Sequence, residues 1–355
     1  MKKKNLLVLN LGSSSLKFKL FQWEDLSVIG SGLIELNDAK TPKEAIQEME
    51  EILVTYGIKS VEELYGVGHR VVHGGEKFSQ ATLIDPRVIE TIEKLIPLAP
   101  LHNRANLDGI LEIQKIAPDL KQVALFDTAF HQTMPIEAYL YPLPYELYEK
   151  YHIRRYGFHG TSHHYVAKEA AKILDKDLQE LNLITIHLGN GDSICAIKNG
   201  QSIDTSMGFT PLEGLMMGTR SGDIDPSIVF YLMENKHYTV KQLEGILNKQ
   251  SGLFGICGQS DMRKIDQIAD GGDEKAILAQ KMFAYHVKKY IGSYMAILGR
   301  VDALIFTGGI GANDQAMRDR ILEGLELSSP IFVIDTDEEK EIAFEIRSLL
   351  KLQEN

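Results

Sequence analysis

Three short segments rich in glycine, each predicted to be a loop, combine residue types that bind phosphate. They are Gly12–Ser15, Gly189–Gly191 and Gly308–Gly311, and each follows an apolar run. Glycine lets backbone N–H groups approach an oxyanion closely, while serine and asparagine add short hydrogen-bond donors. A tight turn explains any one of these segments more simply, but three at the ends of predicted strands favour phosphate binding.

The surroundings of these segments exclude the common phosphate fingerprints. The chain contains no GxxxxGK followed by Ser or Thr, and no GxGxxG lies between a strand and a helix. The first two segments lead back into a run with strand character, whereas both fingerprints lead into a helix. The pattern therefore favours a nucleotide held between two β-hairpins.

Charged residues inside apolar runs form a second group with chemical potential. Arg70 stands with two histidines in a run of β-branched residues, and Asp127 follows an apolar run further on. Burying such a charge is costly unless it meets an anion or a partner. A structural salt bridge explains either residue as well as an active-site role does, and both alternatives stay open at this point.

Histidine and arginine are dense in two further segments. Residues 154–164 contain two arginines and three histidines, His159, His163 and His164, which suggests a metal site. Transition-metal binding is nevertheless disfavoured, because adjacent His163 and His164 cannot share one face of a helix. Residues 208–223 are punctuated by glycine around a central Arg220, a pattern typical of an active-site loop.

The elements that must hold these residues form two similar halves. Residues 5–9 and 16–20 have the pattern of two strands around the first glycine segment, and residues 183–186 and 193–197 repeat that pattern around the second. Aligning Asn10 with His187 gives an offset of 177 residues, which is half of the 355-residue chain. Such an offset is what a domain duplication would leave.

Helical periodicity connects these hairpins. Residues 41–56, 86–98, 162–174 and 273–298 carry apolar residues at helical spacing, and a short buried strand is predicted at 303–306. Helices that alternate with buried strands predict an α/β fold. Since no Pro-rich or low-complexity linker separates the halves, we expect two closely joined domains with a cleft between them.

Length, charge and cysteine content narrow the class of protein. A chain of 355 residues is long enough for two domains, and 38 Lys and Arg against 49 Asp and Glu give a net charge of −11. Such an acidic surface disfavours nucleic acid and anionic membranes as partners. Cys195 and Cys257 form neither a CxxC pair nor a zinc-binding pattern. The N-terminal apolar run is too short for a signal peptide. No stretch reaches the roughly 18 apolar residues of a membrane helix. The sequence therefore predicts a soluble, cytoplasmic protein.

Ten segments of the chain resemble, in order and over nearly its whole length, those of the acetate kinase family. They are LNLGSSSLKF, VGHRVVHGGE, LAPLHN, FDTAFHQTMP, RRYGFHGTSH, HLGNGDS, TPLEGLMMGTRSGDIDP, SDMR, TGGIG and DTDEE. The resemblance implies a duplicated actin-like, ribonuclease-H-like α/β fold with ATP between the halves, and a homodimer. It also implies reversible transfer of the γ-phosphoryl group of ATP to acetate, and domains at 1–130 plus 340–355 and at 131–339.

The resemblance also implies roles for individual residues. The implied catalytic residues are Asp127, His159 and Arg220. Arg70 would bind the acetate carboxylate, and Val72, Leu101, His102, Phe158 and Pro211 would line the acceptor pocket. The implied nucleotide-binding residues are Lys17, His187, Leu188, Gly189, Asn190, Gly191, Asp261, Met262, Arg263, Gly308, Gly309, Ile310, Gly311 and Ala312. Asn10 and Glu338 would hold Mg²⁺, with Mn²⁺ as an alternative.

Acid–base chemistry refines the expected role of Asp127. A carboxylic acid titrates near pH 4, so acetate is already an anion at neutral pH and needs no general base. The obstacle is instead an anion attacking a polyanion, which calls for Arg70 on the acceptor and for Arg220 and His159 on the transferring oxygens. We therefore expect Asp127 to organise the metal and its waters.

Three departures from the family pattern leave alternatives open. Ala312 stands where the family usually has glutamate, Arg104 follows LHN in place of proline, and the stretch between Arg320 and Phe332 is shorter. The nearest alternative is a propionate or butyrate kinase. A more distant one is a nucleotide-binding regulatory or chaperone-like module on the same fold, against which Arg70 and the His159/Arg220 pair argue.

Overall fold

A computed structural model of the protein describes residues 4–12, 14–36 and 40–353, apart from the side chain of Leu101. The chain forms two compact units. Unit 1 comprises Met1–Gln132, Gly160–Ser162 and Asp337–Asn355, and unit 2 comprises Thr133–His159 and His163–Thr336.

Strands and helices alternate along the chain, as α/β layering requires. The strands are β1 (Asn5–Leu11), β2 (Ser15–Gln22), β3 (Val28–Glu35), β4 (Gly66–Val71), β5 (Thr82–Leu83), β6 (Gln122–Phe126), β7 (Asn182–His187), β8 (Ser193–Lys198), β9 (Gln201–Thr205), β10 (Ala303–Thr307) and β11 (Ile331–Val333). The helices are α1 (Pro42–Thr55), α2 (Pro86–Leu95), α3 (Pro100–Ile116), α4 (Ile136–Tyr139), α5 (Tyr145–Tyr151), α6 (Gly160–Leu174), α7 (Ser227–Lys236), α8 (Val240–Lys249), α9 (Gly252–Cys257), α10 (Met262–Asp270), α11 (Glu274–Leu298), α12 (Gly308–Asn313), α13 (Gln315–Leu322) and α14 (Glu338–Leu352).

The sheet of unit 1 is buried on both faces. Along β1, Leu7 and Leu9 pack with α1 and α3, whereas Leu6 and Val8 pack with α14. Because successive side chains of a strand point to opposite faces, a strand covered on both sides needs an unbroken apolar run. The sequence Asn5-Leu-Leu-Val-Leu meets that requirement.

The sheet of unit 2 packs against one long helix, α11. Apolar residues of β7, β8 and β10 form a core with Phe283, Val287 and Ile291 of α11. These residues recur at four-residue spacing, which places them on one face of the helix. The predicted core helix at 273–298 is thereby confirmed.

The two sheets share one strand order. In unit 1 the order is β3-β2-β1-β4-β6-β5, and in unit 2 it is β9-β8-β7-β10-β11. Each begins with two antiparallel pairings and continues with two parallel ones. The duplication predicted from the 177-residue offset is confirmed, since β1 and β7 take equivalent places.

Local structure agrees with most predicted elements and differs in one segment. The predicted helices at 41–56, 86–98 and 162–174 correspond to α1, to α2 with a 3₁₀ turn at Ile96–Leu98, and to α6. The third glycine segment was expected to be a loop, but it forms the short helix α12. Gly308 makes this possible because its φ of +80° reverses the chain directly after β10.

Among the residues that the structure describes, no helix has both the length and the apolar character to cross a bilayer.

Candidate active site

Unit 2 contains a cavity of about 940 Å³ at the carboxyl ends of β7 and β10. These two strands are parallel neighbours, so the segments that follow them meet at one edge of the sheet. The cavity is lined by His187, Gly189, Asn190, Ser260, Asp261, Met262, Arg263, Asp266, Gly308, Gly309, Ile310, Asn313, Asp314, Gln315 and Thr336. Nine of the predicted nucleotide-binding residues thus lie around one cavity large enough for a nucleotide.

The other predicted nucleotide-binding residues lie elsewhere. Leu188, Gly191, Gly311 and Ala312 are not among the lining residues, and Lys17 belongs to unit 1. Leu188 is fully buried, and its carbonyl accepts hydrogen bonds from the N–H groups of Ile310 and Gly311. The Leu188 carbonyl therefore links the segment after β7 to the start of α12. These two segments form the floor of the cavity.

Arg220 lies beside the glycine segment that follows β7. Its Nη1 donates to the Pro211 carbonyl at 2.6 Å, and a Cβ on Gly191 would collide with its Nη2. Burial lowers the pKa of Arg220, although Asp192 opposes that shift. Among the described residues no carboxylate forms a salt bridge with Arg220, so a partly buried cation faces the glycine segment after β7 without a bound counter-charge.

Asp192 is a buried carboxyl in the same segment. Its Oδ1 accepts a hydrogen bond of 2.6 Å from the Gly189 N–H, and its Oδ2 is buried with no hydrogen-bond partner in the described part of the chain. Burial raises the pKa of Asp192 to about 8, although the Gly189 N–H and Arg220 act in the opposite direction. The side chain holds the loop closed at Gly189.

A chain of hydrogen bonds orients His159. Ser193 Oγ lies 2.9 Å from Nδ1 of His159 and 2.8 Å from Nε2 of His163, and Nδ1 of His163 lies 2.7 Å from Thr185 Oγ1. The ring of His159 also lies against the ring of His187, with centroids 4.4 Å apart. His163 is a buried member of this chain, which accounts for one of the histidines that suggested a metal site.

His159 adopts a backbone conformation unusual for its type. Its φ is +55°, in the left-handed region, and it immediately precedes α6. Such a conformation costs a non-glycine residue on the order of 1 kcal/mol or more. The turn is stabilised by Gly160, whose N–H donates to the Asp127 carbonyl at 2.9 Å, an approach that a Cβ at this position would block.

In unit 1, Arg70 and Asp127 form a bidentate ion pair. Nε and Nη2 of Arg70 donate to the two carboxylate oxygens of Asp127, each at 2.8 Å, and Nη1 lies 3.3 Å from Oε2 of Glu338. Burial raises the pKa of Asp127 although Arg70 opposes the rise, and the pKa of Arg70 is raised because the two carboxylates outweigh its burial. Arg70 and Asp127 are therefore each other's partners, an arrangement that fits an active-site role as well as a structural salt bridge.

The remaining predicted residues of unit 1 surround this pair or lie on the neighbouring hairpin. His102, exposed in the first turn of α3, is close enough to Asp127 to favour its charged form. Asn10 of β1 pairs with Lys17 of β2, whose Nζ lies 2.7 Å from Glu339.

The predicted acceptor residues divide between the two units. Val72 belongs to unit 1, where its N–H donates to Asn106 Oδ1 at 3.0 Å, and the side chain of Leu101 lies outside the described residues. Phe158, almost fully buried, and Pro211 belong to unit 2.

Sequence reasoning missed several residues that hold this chemistry in place. Ser193 and Thr185 carry the hydrogen bonds to the histidines, and Asn103 and Asn106 accept from the backbone of His73 and Val72. For Ser193 a signal was available, because a serine two residues after the glycine segment opens a mostly apolar strand. The asparagines gave no comparable signal.

The two matching sheets define a duplicated α/β protein of the actin-like fold, with a nucleotide-sized cavity at the glycine-rich segments of unit 2. A model of the acetokinase family matches residues 35–347. The chain therefore belongs to the acetokinase family.

Individual relatives are similar over most of the chain. Acetate kinase of Sulfurovum sp. (strain NBC37-1) is 55% identical over 348 residues, which is 92% of this chain and 87% of that protein. The structure of Porphyromonas gingivalis acetate kinase has a TM-score of 0.91 at 41% identity, with 98% of this chain and 100% of that chain covered. A propionate kinase structure from Francisella tularensis has a TM-score of 0.90 at 43% identity, with 96% and 98% covered.

Proposed function

We propose that the protein is an acetate kinase that transfers the γ-phosphoryl group of ATP reversibly to acetate, giving acetyl phosphate and ADP. The observation that carries the proposal is Arg220, a partly buried guanidinium without a salt bridge among the described residues, placed beside the glycine segment of a nucleotide-sized cavity. A cation held in this way is available for charge that develops during transfer.

Arg70 supports a carboxylate acceptor. A guanidinium has five N–H groups. Three of those of Arg70 are directed to Asp127 and Glu338, which leaves two for an acetate carboxylate. Asp127 then holds the guanidinium in orientation, and because acetate is already ionised, no proton has to be removed by any residue.

Arg220 and His159 act on the transferring group. Arg220 Nη1 is held by the Pro211 carbonyl, and His159 is oriented by Ser193. Both can donate hydrogen bonds to phosphoryl oxygens, and neither needs to change position as charge shifts from the nucleotide to the acceptor. Such pre-organised donors are the principal catalytic means of phosphoryl-transfer enzymes.

A divalent cation fits the donors of unit 1. Asn10 and Glu338 would supply an amide and a carboxylate oxygen, and Asp127 is a second carboxylate in contact with the same arginine as Glu338. Hard oxygen donors of this kind suit Mg²⁺, with Mn²⁺ as an alternative, better than softer metals. When bound, the ion would neutralise phosphate charge, and Asp127 would help to order its waters.

We further propose a cytoplasmic homodimer with domains at 1–130 plus 340–355 and 131–339. Helix α7 supports the dimer, because it has no buried residue although it carries Phe230, which is 62% exposed, and Tyr231, which is 53% exposed. A helix face of this kind needs a partner surface. Sedimentation of wild type and Phe230→Glu tests the proposal, since the charge should yield monomer. No disulfide joins Cys195 to Cys257, which supports a reducing location.

A coupled assay of ADP formation tests the acceptor. We expect acetate to give the highest kcat/KM, propionate and butyrate lower values, and ATP without acceptor only background. Preference for propionate would favour the alternative represented by the Francisella tularensis structure. Acceptor-independent hydrolysis would favour a regulatory ATPase.

Arg220→Ala tests the site itself. The variant should lose about 10²-fold or more in kcat with little change in the KM for ATP. Near-normal turnover would contradict the assignment.

A further inference from the structure

Residues 206–222, here called the Arg220 loop, form neither helix nor strand in the structure, yet they carry both Pro211 and Arg220. Seventeen irregular residues have many rotatable bonds, and a long irregular segment in a compact unit must be fixed by specific contacts if it is to hold a catalytic group. Three side chains outside the proposed catalytic set supply such contacts. We call them the Arg155 cluster: Tyr141, Arg155 and Glu213.

Arg155 ties down the start of the loop. Its Nη1 lies 3.0 Å from the carbonyl oxygens of Thr205 and Ser206 and 3.2 Å from that of Met207. The segment around Arg155 adds two more bonds, because the N–H groups of the next two residues donate to the Gly208 carbonyl. The loop therefore begins in a fixed register against residues 155–157.

Glu213 closes the cluster from within the loop. Its Oε1 accepts from Arg155 Nη2 at 2.6 Å and its Oε2 accepts a short hydrogen bond from the Tyr141 hydroxyl. That hydroxyl in turn accepts from the Phe209 N–H at 2.8 Å. Burial, reinforced by the Glu213 charge, raises the pKa of Tyr141 above its usual range, so the phenol keeps the proton that it donates.

Gly208 provides the space for these contacts. A Cβ at this position would overlap with the Glu213 carboxylate and the Tyr141 hydroxyl. The absence of a side chain at Gly208 lets the carboxylate and the phenol meet directly above the backbone. The cluster is thus built into the loop.

The connection to Arg220 passes through one carbonyl group. Pro211 lies two residues before Glu213, and its carbonyl oxygen accepts from Arg220 Nη1 at 2.6 Å. A shift of Glu213 would therefore move the acceptor that holds the guanidinium. The far end of the loop is fixed separately, because Asp223 accepts from the Gly214 N–H at 2.9 Å and from Tyr290 at 2.6 Å.

We propose that Tyr141, Arg155 and Glu213 are positioning residues for phosphoryl transfer, which fix the Arg220 guanidinium through the Pro211 carbonyl. The proposal rests on the proposed function, in which Arg220 stabilises the transferring group. None of the three residues lines the cavity at the carboxyl ends of β7 and β10, and both oxygens of Glu213 are occupied within the cluster.

The test is a double-mutant cycle on kcat with Tyr141→Phe, Arg220→Ala and the double variant. Tyr141→Phe removes one hydroxyl and preserves the ring, so the fold should be retained. We expect it to lower kcat by about 10-fold to 100-fold, as small misplacements of a catalytic group do. In the Arg220→Ala background the same change should alter kcat less than about twofold, because the two residues act as a unit.

Gly208→Ala is a second variant, which displaces the cluster without deleting any of its hydrogen-bonding groups, and it should give the same non-additive pattern. Asn182→Ala is the matched control. It removes another side-chain hydrogen bond of unit 2, from β7 to the Arg300 carbonyl. It should lower the melting temperature and leave kcat the same within about twofold.

Two results would overturn the proposal in distinguishable ways. If Tyr141→Phe and Gly208→Ala lower kcat by the same factor with and without Arg220, the cluster acts independently of Arg220 and the positioning role fails. If Arg220→Ala itself retains near-normal kcat, the proposed function of Arg220 fails and the positioning role fails with it.

Discussion

Replacing Gly191 by alanine should displace Arg220 by a distance that the structure defines. A Cβ at this position would lie 2.3 Å from Arg220 Nη2, whereas ordinary contacts begin at 3.4 Å. The guanidinium must therefore retreat by about 1 Å, a misplacement that typically costs a catalytic group about 10²-fold in rate. That loss corresponds to about 2.7 kcal/mol in the activation free energy.

The assay is coupled ADP formation at saturating acetate and ATP, with a thermal melt of the same sample. Alanine is compatible with the backbone, because Gly191 is not among the residues with positive φ. We expect kcat to fall by about 10²-fold, with the KM for ATP the same within about threefold.

Gly189→Ala is the matched control in the same segment. There the nearest atom to an added Cβ lies 3.7 Å away, so Arg220 is not disturbed. Its effect should appear in the KM for ATP, since Gly189 lines the cavity. If Gly191→Ala folds and keeps a kcat close to that of the wild type, the reasoning from contact distance to catalysis is refuted.

Three further predictions concern other parts of the site. Val72→Ala should raise the propionate-to-acetate ratio of kcat/KM by about 10-fold, the usual scale for one methylene, with unchanged ATP kinetics; a constant ratio would remove Val72 from the acceptor pocket. Asp127→Asn should lose at least about 10-fold in activity, because one charge-assisted hydrogen bond to Arg70 is lost. Added imidazole should not restore the activity of this variant, and rescue by imidazole would indicate general-base catalysis. Because the folded-state pKa of Asp192 is raised to about 8, its stabilising effect is present at low pH and is lost as pH rises towards 8. Asp192→Asn does not titrate, so its stability relative to wild type in urea unfolding should grow by up to about 1.4 kcal/mol per pH unit between pH 5 and 8, whereas a flat difference would contradict the burial argument.

The strands and long helices could be predicted because their signals are local. The unbroken apolar run of β1 indicates a strand covered on both faces, and the four-residue spacing in α11 indicates a helix with one buried side. The duplication was visible as well, since the strand–glycine–strand pattern survives in both halves. The strand and helix patterns depend on neighbours within a few residues of one another, and the duplication repeats one such local pattern in the second half.

The partners of the functional residues could not be predicted, because they come from distant parts of the chain. Arg70 and Asp127 are 57 residues apart, and Glu213 lies 72 residues from Tyr141. A glycine-rich sequence is compatible with a loop and with a helix, so the sequence predicts a loop where α12 forms. The sequence identified Arg220 and Asp127 as candidate functional residues from their chemical type. Their contacts and distances depend on the packed fold and could not be predicted from the sequence.

Helix α14 belongs to unit 1 although the chain reaches it last. Ile342, Ile346 and Leu350 pack against Leu6 and Val8 of β1, and Gly68 leaves the space that Ile346 fills. Lys19 of β2 is bonded to Asp337 across 318 residues of sequence. One face of the first sheet is therefore completed by residues from the opposite end of the chain.

During synthesis this order creates a delay. At 5–20 residues per second, the ribosome needs roughly 15–60 s to pass from β2 to α14. Unit 2, drawn from residues between these elements, is fully synthesised first. The apolar face of β1 that α14 covers must remain exposed during that interval. The nascent chain is thus most prone to aggregate through β1, the strand that is synthesised first. Mutations in α14 should therefore reduce the yield of folded protein more than they change the activity of the molecules that fold.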